Sequence, residues 1–423
     1  MTHYKQIGPD IEFDDARMST YLGSSVALSN NGTRMAVGAM GEDGLRGAVR
    51  MFSLDTYSET WIQLGQVLRG KQQEHFFGLS IDMNADGTRV VVGGPGKNNS
   101  QGSTSVYKLC NIDQVWKRLG TEIIPNQTGG HAGLSVAING VGDIILVGAP
   151  YNDNHRGLVQ AYELVDENWK PMGQAIVAKY RSHLGSSVGL SADGKRFVLG
   201  NKQYLTNSGS VEIHEFDDSS KQWTLMKAIH GVNYYDRLGD SVDMSEDGNR
   251  IVFGVPNSDQ GPKESVTVDS GQVYVYDYDG SDWNMVGEPI TNPTSSDRLG
   301  RSVAISGDGS HIALAAPGSD GSNTALAAPG AGVDDVIQNT GKVDVYTYSE
   351  KQGRWIANVN PIYGDCSNDQ YGEVGALAMD RFGTHLVIGA GHGNYYRGIA
   401  RAYVLTQGPR DKSNIPPVEC LTS

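Results

Sequence analysis

The stretch from Tyr21 to Met40, YLGSSVALSNNGTRMAVGAM, decides how the rest of the chain is read. A short run of small and apolar residues opens on Gly23. An Asn31-Gly32 turn follows, then the nearly continuous apolar run Met35-Ala36-Val37-Gly38-Ala39. The same phrase returns as FFGLSIDMNADGTRVVVGGP from Phe76, HAGLSVAINGVGDIILVGAP from His131 and HLGSSVGLSADGKRFVLGNK from His183. It returns again as RLGDSVDMSEDGNRIVFGVP from Arg237 and RLGRSVAISGDGSHIALAAP from Arg298, with a looser seventh copy, VGALAMDRFGTHLVIGAG, from Val374. The opening glycines Gly23, Gly78, Gly133, Gly185, Gly239 and Gly300 are spaced by 55, 55, 52, 54 and 61 residues. Self-similarity at this period means a repeat architecture.

Each copy continues alike. A third strand starts on glycine and ends near an aromatic, as in GAVRMF at Gly47, GLVQAY at Gly157, GQVYVY at Gly271 and GKVDVY at Gly341. A fourth carries tryptophan, with glycine four places on at Trp61/Gly65, Trp116/Gly120, Trp169/Gly173 and Trp283/Gly287; Trp223 and Trp355 hold the same slot without that glycine. The 6 tryptophans are thus used once per repeat, a regularity of packing.

Four strands in about 50 residues define a propeller blade. Apolar runs such as RMAVGA and IILVGA suit strands buried on both faces. Asn-Gly or Asp-Gly pairs at Asn31, Asp86, Asp193, Asp247 and Asp308 suit hairpin turns that need positive φ. The seventh copy lacks a tryptophan strand, and Tyr4-Lys5-Gln6-Ile7-Gly8 supplies an aromatic with glycine four places on. The expectation is an all-β chain: one seven-bladed β-propeller of four-stranded antiparallel blades over residues 4–407, closed by the N-terminal strand in the last blade, and a flexible tail over 408–423.

Composition narrows the function. With 34 basic and 48 acidic residues the net charge is −14, and no basic run supplies the footprint a nucleic-acid binder needs. No apolar stretch approaches the ~18 residues of a membrane span. MTHYKQIGPD has neither the basic nor the apolar region of a signal peptide. Three cysteines are too few for a disulfide scaffold; Cys366 and Cys420 either pair or stay free. Three glycosylation sequons, at Asn31, Asn98 and Asn126, are close to chance for this length. Ala313–Gly318 recurs as Ala325–Gly330, a local duplication that lengthens one loop.

In the phrases LGSSVALS, FGLSIDM, VGAP and GQVYVY the chain resembles the FG-GAP repeat family, the propeller of integrin α-subunit heads and many surface proteins. The resemblance runs through all seven copies. It implies extracellular or cell-surface adhesion, or ligand binding on one face of the disc, usually within a larger protein. Many members carry a calcium loop between the first two strands. Here Asp82-x-Asn84-x-Asp86-Gly87 meets Val90 where the closing carboxylate belongs, and Asp243-x-Ser245-x-Asp247-Gly248 meets Ile251. Calcium needs that ligand, so these segments read as turns, and no metal or other cofactor is expected. The sialidase-type Asp box fails at Ser191 and Ser306, and no nucleotide, zinc-protease or serine-hydrolase motif is present.

Loops joining strands two to three and four to one share one face of a propeller. Here they hold the irregular segments, and six of the 10 histidines: His75, His131, His155, His183, His230 and His392. Function concentrates on irregular loops. Two places before each opening glycine stand Tyr21, Phe76, His131, His183, Arg237 and Arg298, with Gln370 for the last blade. Such a rim at the channel mouth suits an anionic or sugar-like ligand, although the same residues also serve to cap the inner strands. The pairs Tyr234-Tyr235 and Tyr395-Tyr396 add interface-type side chains. The reading is a monomeric, non-enzymatic recognition or adhesion module for a protein or glycan. One alternative is a carbohydrate-active hydrolase or lyase in the channel, with Asp240 and Glu373 as candidate acids; the other is a structural unit of a larger surface protein.

Overall fold

A computed structural model describes residues 2–12, 19–125, 128–259, 268–292, 294, 296–318, 340–357, 361–364, 372, 376–392 and 397–407. Seven antiparallel sheets, each with four main strands, form a ring, so the chain is an all-β seven-bladed propeller. Blade 1 runs Leu22–Leu28, Arg34–Ala39, Ala48–Asp55 and Thr60–Gln63 from the axis outward. The inner strands of blades 2 to 6 are Ile81–Met83, Ser135–Ile138, Ser187–Leu190, Val242–Met244 and Ser302–Ile305. Blade 7 is Leu377–Met379, His385–Ala390 and Ile399–Gln407, with Thr2–Gln6 as its outer strand. That strand pairs antiparallel, His3 opposite Thr406 and Gln6 opposite Tyr403.

The two glycine motifs of the repeat face each other across the blade joints. A Cβ on Gly38, Gly93, Gly148, Gly200, Gly254 or Gly389 would lie 1.8–2.3 Å from the carbonyl oxygen of Gly78, Gly133, Gly185, Gly239, Gly300 or Gly23 respectively, each in the next blade. No side chain fits such a gap, so glycine is required there by close approach. At the joint of blades 6 and 7 the pair is Ala315 and Gly372. Gly372 donates to the Gly389 carbonyl at 3.0 Å, as Gly78 does to Gly93 at 2.9 Å. It is therefore the seventh opening glycine, two residues ahead of the copy read from Val374, and its distance to the turn glycine Gly383 is two residues longer than in the other blades. The serine two places after four of these glycines bonds the next blade: Ser25, Ser80, Ser135 and Ser241 donate to the Gly78, Gly133, Gly185 and Gly300 carbonyls at 2.7–2.8 Å.

The tryptophan rule also acts between blades. Gly65, Gly120 and Gly173 lie under Trp116, Trp169 and Trp223 of the following blade, where a Cβ would come within 2.8–2.9 Å of the indole. Gly8 lies under Trp61 in the same way, with Tyr4 in the tryptophan slot of blade 7. Blade 4 has Lys227 instead of glycine, and that lysine pairs with Asp282 beside Trp283 at 2.9 Å.

The turns between first and second strands correct one detail. Only the glycines are left-handed: Gly32, Gly87, Gly194, Gly248 and Gly309 have φ 67–73°, while the preceding Asn or Asp does not. Asp86, Asp193, Asp247 and Asp308 instead accept the backbone N–H two residues on at 2.8–2.9 Å. These carboxylates hold turns. On this lower face a closed circuit of backbone bonds runs Asn30 to Ala85, Gly140, Ala192, Glu246, Gly307/Asp308 and Arg381, and back to Asn30, each 2.8–3.1 Å. Glu246 also reaches across the axis to Asn30 and, at 3.4 Å, to Arg381, which spans the lower end of the channel.

Gly254→Ala is expected to lower unfolding stability by about 1–3 kcal/mol through overpacking, whereas Gly130→Ala, whose Cβ would meet only ordinary contacts at 3.6–3.8 Å, changes it little. Urea titration of the two variants checks this, and equal losses contradict the joint argument. Deleting residues 1–12 exposes the edge of Ile399–Gln407 and is expected to lower the thermal midpoint of the whole ring in one transition; an unchanged midpoint contradicts closure by that strand.

Candidate functional site at the upper mouth of the channel

The upper face carries the loops from second to third strands. In blades 1 to 4 these loops contain three successive left-handed residues: Asp43-Gly44-Leu45, Asn98-Asn99-Ser100, Asp153-Asn154-His155 and Leu205-Thr206-Asn207, with φ 39–69°. Each segment forms a single left-handed turn, closed by a bond such as Gly157 N–H to the Asn152 carbonyl at 3.0 Å. Left-handed turns cost L-residues about 1–2 kcal/mol apiece, so the surrounding bonds must impose them.

The six rim residues of the sequence reading share one conformation. Tyr21, Phe76, His131, His183, Arg237 and Arg298 all have φ between 51 and 59°. Phe76, His131, His183 and Arg237 donate backbone N–H to the left-handed turn of the preceding blade at 2.8–3.1 Å, and Arg298 donates to Asp269 at 3.0 Å. The residue before each rim position accepts from the second-to-third loop of its own blade, as Thr20 does from Gly41 and Ser182 from Gln203. The rim is therefore a collar in which each blade is stitched to the one before it.

Its side chains divide into two arcs. On one, His392 meets Tyr21 edge-on with ring centres 5.7 Å apart, and Tyr151 lies between His131 at 4.8 Å and His183 at 4.6 Å. His155 Nδ1 is 3.0 Å from His183 Nε2. Burial, then the charges of His155, Lys202 and Arg181, push His183 down to about 4, so it is neutral at neutral pH. Burial and His155 also lower His131. The other arc is cationic. Arg237 and Arg298 are exposed, and beneath them the fully covered Asp240 carboxylate meets Arg301 and, at 3.4 Å, Lys202. Burial alone would raise Asp240; Arg301, Lys202 and Arg237 overcome that and hold it below the ordinary carboxylate range. Three cations thus face one carboxylate at the junction of blades 4, 5 and 6.

Lys202 and Arg301 were missed in the sequence reading. Their signals were visible: Lys202 stands where VGAP has proline, and Arg301 follows its opening glycine where Gly239 is followed by Asp240. Tyr234 and Tyr235, 73% and 65% exposed, stand on the same face with Val232 and Leu205. Tyr395, Tyr396, Gln370, Glu373, Cys366, Cys420 and the tail 408–423 lie outside the described residues, so the Asp240–Glu373 pairing has no geometry here. Asp240 itself belongs to the cationic network.

A different acid pair lines the channel. Asp82 and Asp243 hold equivalent inner-strand positions in blades 2 and 5, where the other described blades have Ala27, Ala137, Gly189, Ala304 and Ala378. Each carboxylate accepts its neighbour's backbone N–H and one from the next blade: Asp82 from Met83 at 2.7 Å and Ile138 at 2.9 Å, Asp243 from Met244 at 2.8 Å and Ile305 at 2.9 Å. The candidate calcium-loop aspartates are thus blade-to-blade braces. Burial raises Asp82 to about 7 against those bonds, with Asp243 adding to the rise; burial raises Asp243 to about 6. Among the described residues no group of three His, Cys, Asp or Glu side chains is placed to hold a metal, and no helix is long and apolar enough to cross a membrane.

The sequence matches no family model and no curated protein. Among solved structures it is similar to a protein of Bacteroides uniformis provisionally named a 6-phosphogluconolactonase, with TM-score 0.54 and 11% identity over 82% of this chain and 85% of that one. At this identity the likeness carries the propeller fold.

Because Asp82 and Asp243 take up protons more readily folded than unfolded, their contribution to stability falls as pH rises from about 4 through about 7. Asp82→Asn removes the larger part of that titration. Its thermal midpoint is expected to gain on the unsubstituted protein between pH 5 and pH 8; a pH-independent gap contradicts the assigned shift.

Proposed function

We propose that the chain is a recognition module whose upper collar binds a small anionic ligand carrying a ring or sugar, without catalysis of its own. The observation that carries this is the convergence of Lys202, Arg237 and Arg301 on the single buried carboxylate of Asp240, beside an arc of aromatic rings. Arginine pairs with carboxylate or phosphate, aromatic faces stack on apolar ring surfaces, and a rigid collar limits the ordering cost of binding. The lower end is spanned by Glu246, so a ligand enters from above. The FG-GAP resemblance supports binding or adhesion on this face, and the exposed Tyr234 and Tyr235 extend it toward a glycan or protein.

A second reading, a carbohydrate-active hydrolase, draws on the Asp82 and Asp243 pair in the channel and on the name of the Bacteroides uniformis neighbour. The backbone bonds on both carboxylates favour a bracing role over proton transfer.

A calorimetric screen of glycans, sugar acids and sugar phosphates against the purified chain tests the first reading. Anionic sugars are expected to bind, and Arg237→Ala with Arg298→Ala to weaken them at least ten-fold with the fold intact. Binding unchanged in that variant, or neutral glycans bound as well as anionic ones, overturns it. Lactone hydrolysis lost in Asp82→Asn together with Asp243→Asn establishes the second reading instead.

A further inference from the structure

Three blade joints on the outer rim close identically. The indole Nε1 of Trp116, Trp169 and Trp223 donates to the carbonyl of Leu64, Leu119 and Met172 of the preceding blade at 2.9 Å. In two of them the glutamine after the rim glycine adds a clamp. Gln66 accepts from Trp116 N–H at 2.9 Å and donates to Trp116 C=O at 2.6 Å; Gln174 does the same to Trp223 at 2.8 and 2.7 Å. One carboxamide so satisfies the outward N–H and C=O of an edge strand, as a neighbouring strand would.

The joint between blades 5 and 6 has Glu288 in that place, after Gly287. A carboxylate has no N–H to give the Trp355 carbonyl. Among the described residues Glu288 makes no hydrogen bond or ion pair, and Trp355 Nε1, like the indole nitrogens of Trp61 and Trp283, finds no acceptor although Trp355 is only 8% exposed. A Cβ on Gly287 would stand 3.8 Å from the Trp355 indole, against 2.8–2.9 Å in the closed joints. The gap is a cleft of about 590 Å³ lined by Glu288, Pro289, Ile290, Tyr346, Gln352 and Trp355. Arg354 at its edge is turned to Gln352 at 2.8 Å.

We propose that this cleft binds an extended peptide segment of a partner protein, which adds its backbone to the outer edge at Trp355 and places a lysine or arginine against Glu288. The closed joints show which chemistry completes that edge: an amide that gives one N–H and takes another, which a peptide backbone supplies. An exposed edge is the template for strand addition. The unpaired carboxylate selects a basic side chain, and Pro289, Ile290 and Tyr346 offer apolar contact to its stem and neighbours.

The test uses the full chain with 5-fluorotryptophan incorporated, the Trp355 fluorine resonance being assigned with Trp355→Phe. Titration with acetyl-Val-Lys-Val-amide is expected to shift that resonance saturably, and acetyl-Val-Glu-Val-amide to bind at least ten-fold more weakly. Glu288→Gln restores the clamp, so it is expected to raise the thermal midpoint and abolish the shift while the other five tryptophan resonances stay in place. Glu288→Ala, which keeps the cleft open without a charge, is expected to bind both peptides alike. No saturable shift, or an equal shift in Glu288→Gln, overturns the proposal.

Discussion

The ring depends on one steric constraint, the contact of two backbones at each blade joint. Where Gly254 meets Gly300, or Gly93 meets Gly133, the chains approach too closely for any Cβ. That approach sets the separation of the inner strands, and the serine bonds to the next blade fix their register. The channel, the collar above it and the bonded circuit below it are all consequences of seven similar joints. Few joint positions vary, Ala315 and Lys227 among them, whereas the rim positions carry tyrosine, phenylalanine, histidine and arginine on an almost constant backbone.

Much of this was legible because the repeat is itself a record of contacts. The opening glycines, the tryptophan slots and the existence of the closing strand were each readable from periodicity, although that strand, read over Tyr4–Gly8, runs Thr2–Gln6. What periodicity conceals is direction. The spacing of tryptophan and glycine within one strand does not say which residue the glycine meets, and Gly65 lies under Trp116 of the next blade. The segments of Asp82 and Asp243 read as local turns, yet their carboxylates reach the Ile138 and Ile305 amides of the blades beyond. Spacing along one strand cannot tell which neighbour a side chain faces. The last copy, read from Val374, begins two residues late because its opening glycine, Gly372, sits farther from its turn than the others do, although Gln370, two places before that glycine, was the rim residue read for this blade.

The candidate site was legible in its ring of positions and not in its chemistry. Six residues were recognised as equivalent, and they share a left-handed backbone. Lys202 and Arg301 escaped because each is a departure from the repeat, and departures carry no periodic signal. The same holds at the outer rim, where Glu288 stands in the place that Gln66 and Gln174 hold at two closed joints and the joint of blades 5 and 6 is open. In a repeat protein the constant positions specify the fold, and the exceptions mark where it differs from its own average.

Closure by the first strand also bears on how the molecule is made. Thr2–Gln6 has its partner in Ile399–Gln407, nearly the whole chain away. At a synthesis rate of about 5–20 residues per second, that partner follows it by roughly 20–80 s. Until then the joint between blades 7 and 1 does not exist, and the circuit of lower-face bonds is an open arc with two raw ends. The early blades can pack on one another in order as they emerge, but the last joint is made by the two most distant parts of the sequence. Molecules caught before that step carry a free strand and a free edge, each the complement of the same element in another copy. Crowded synthesis therefore gives this strand an opportunity to be exchanged between molecules.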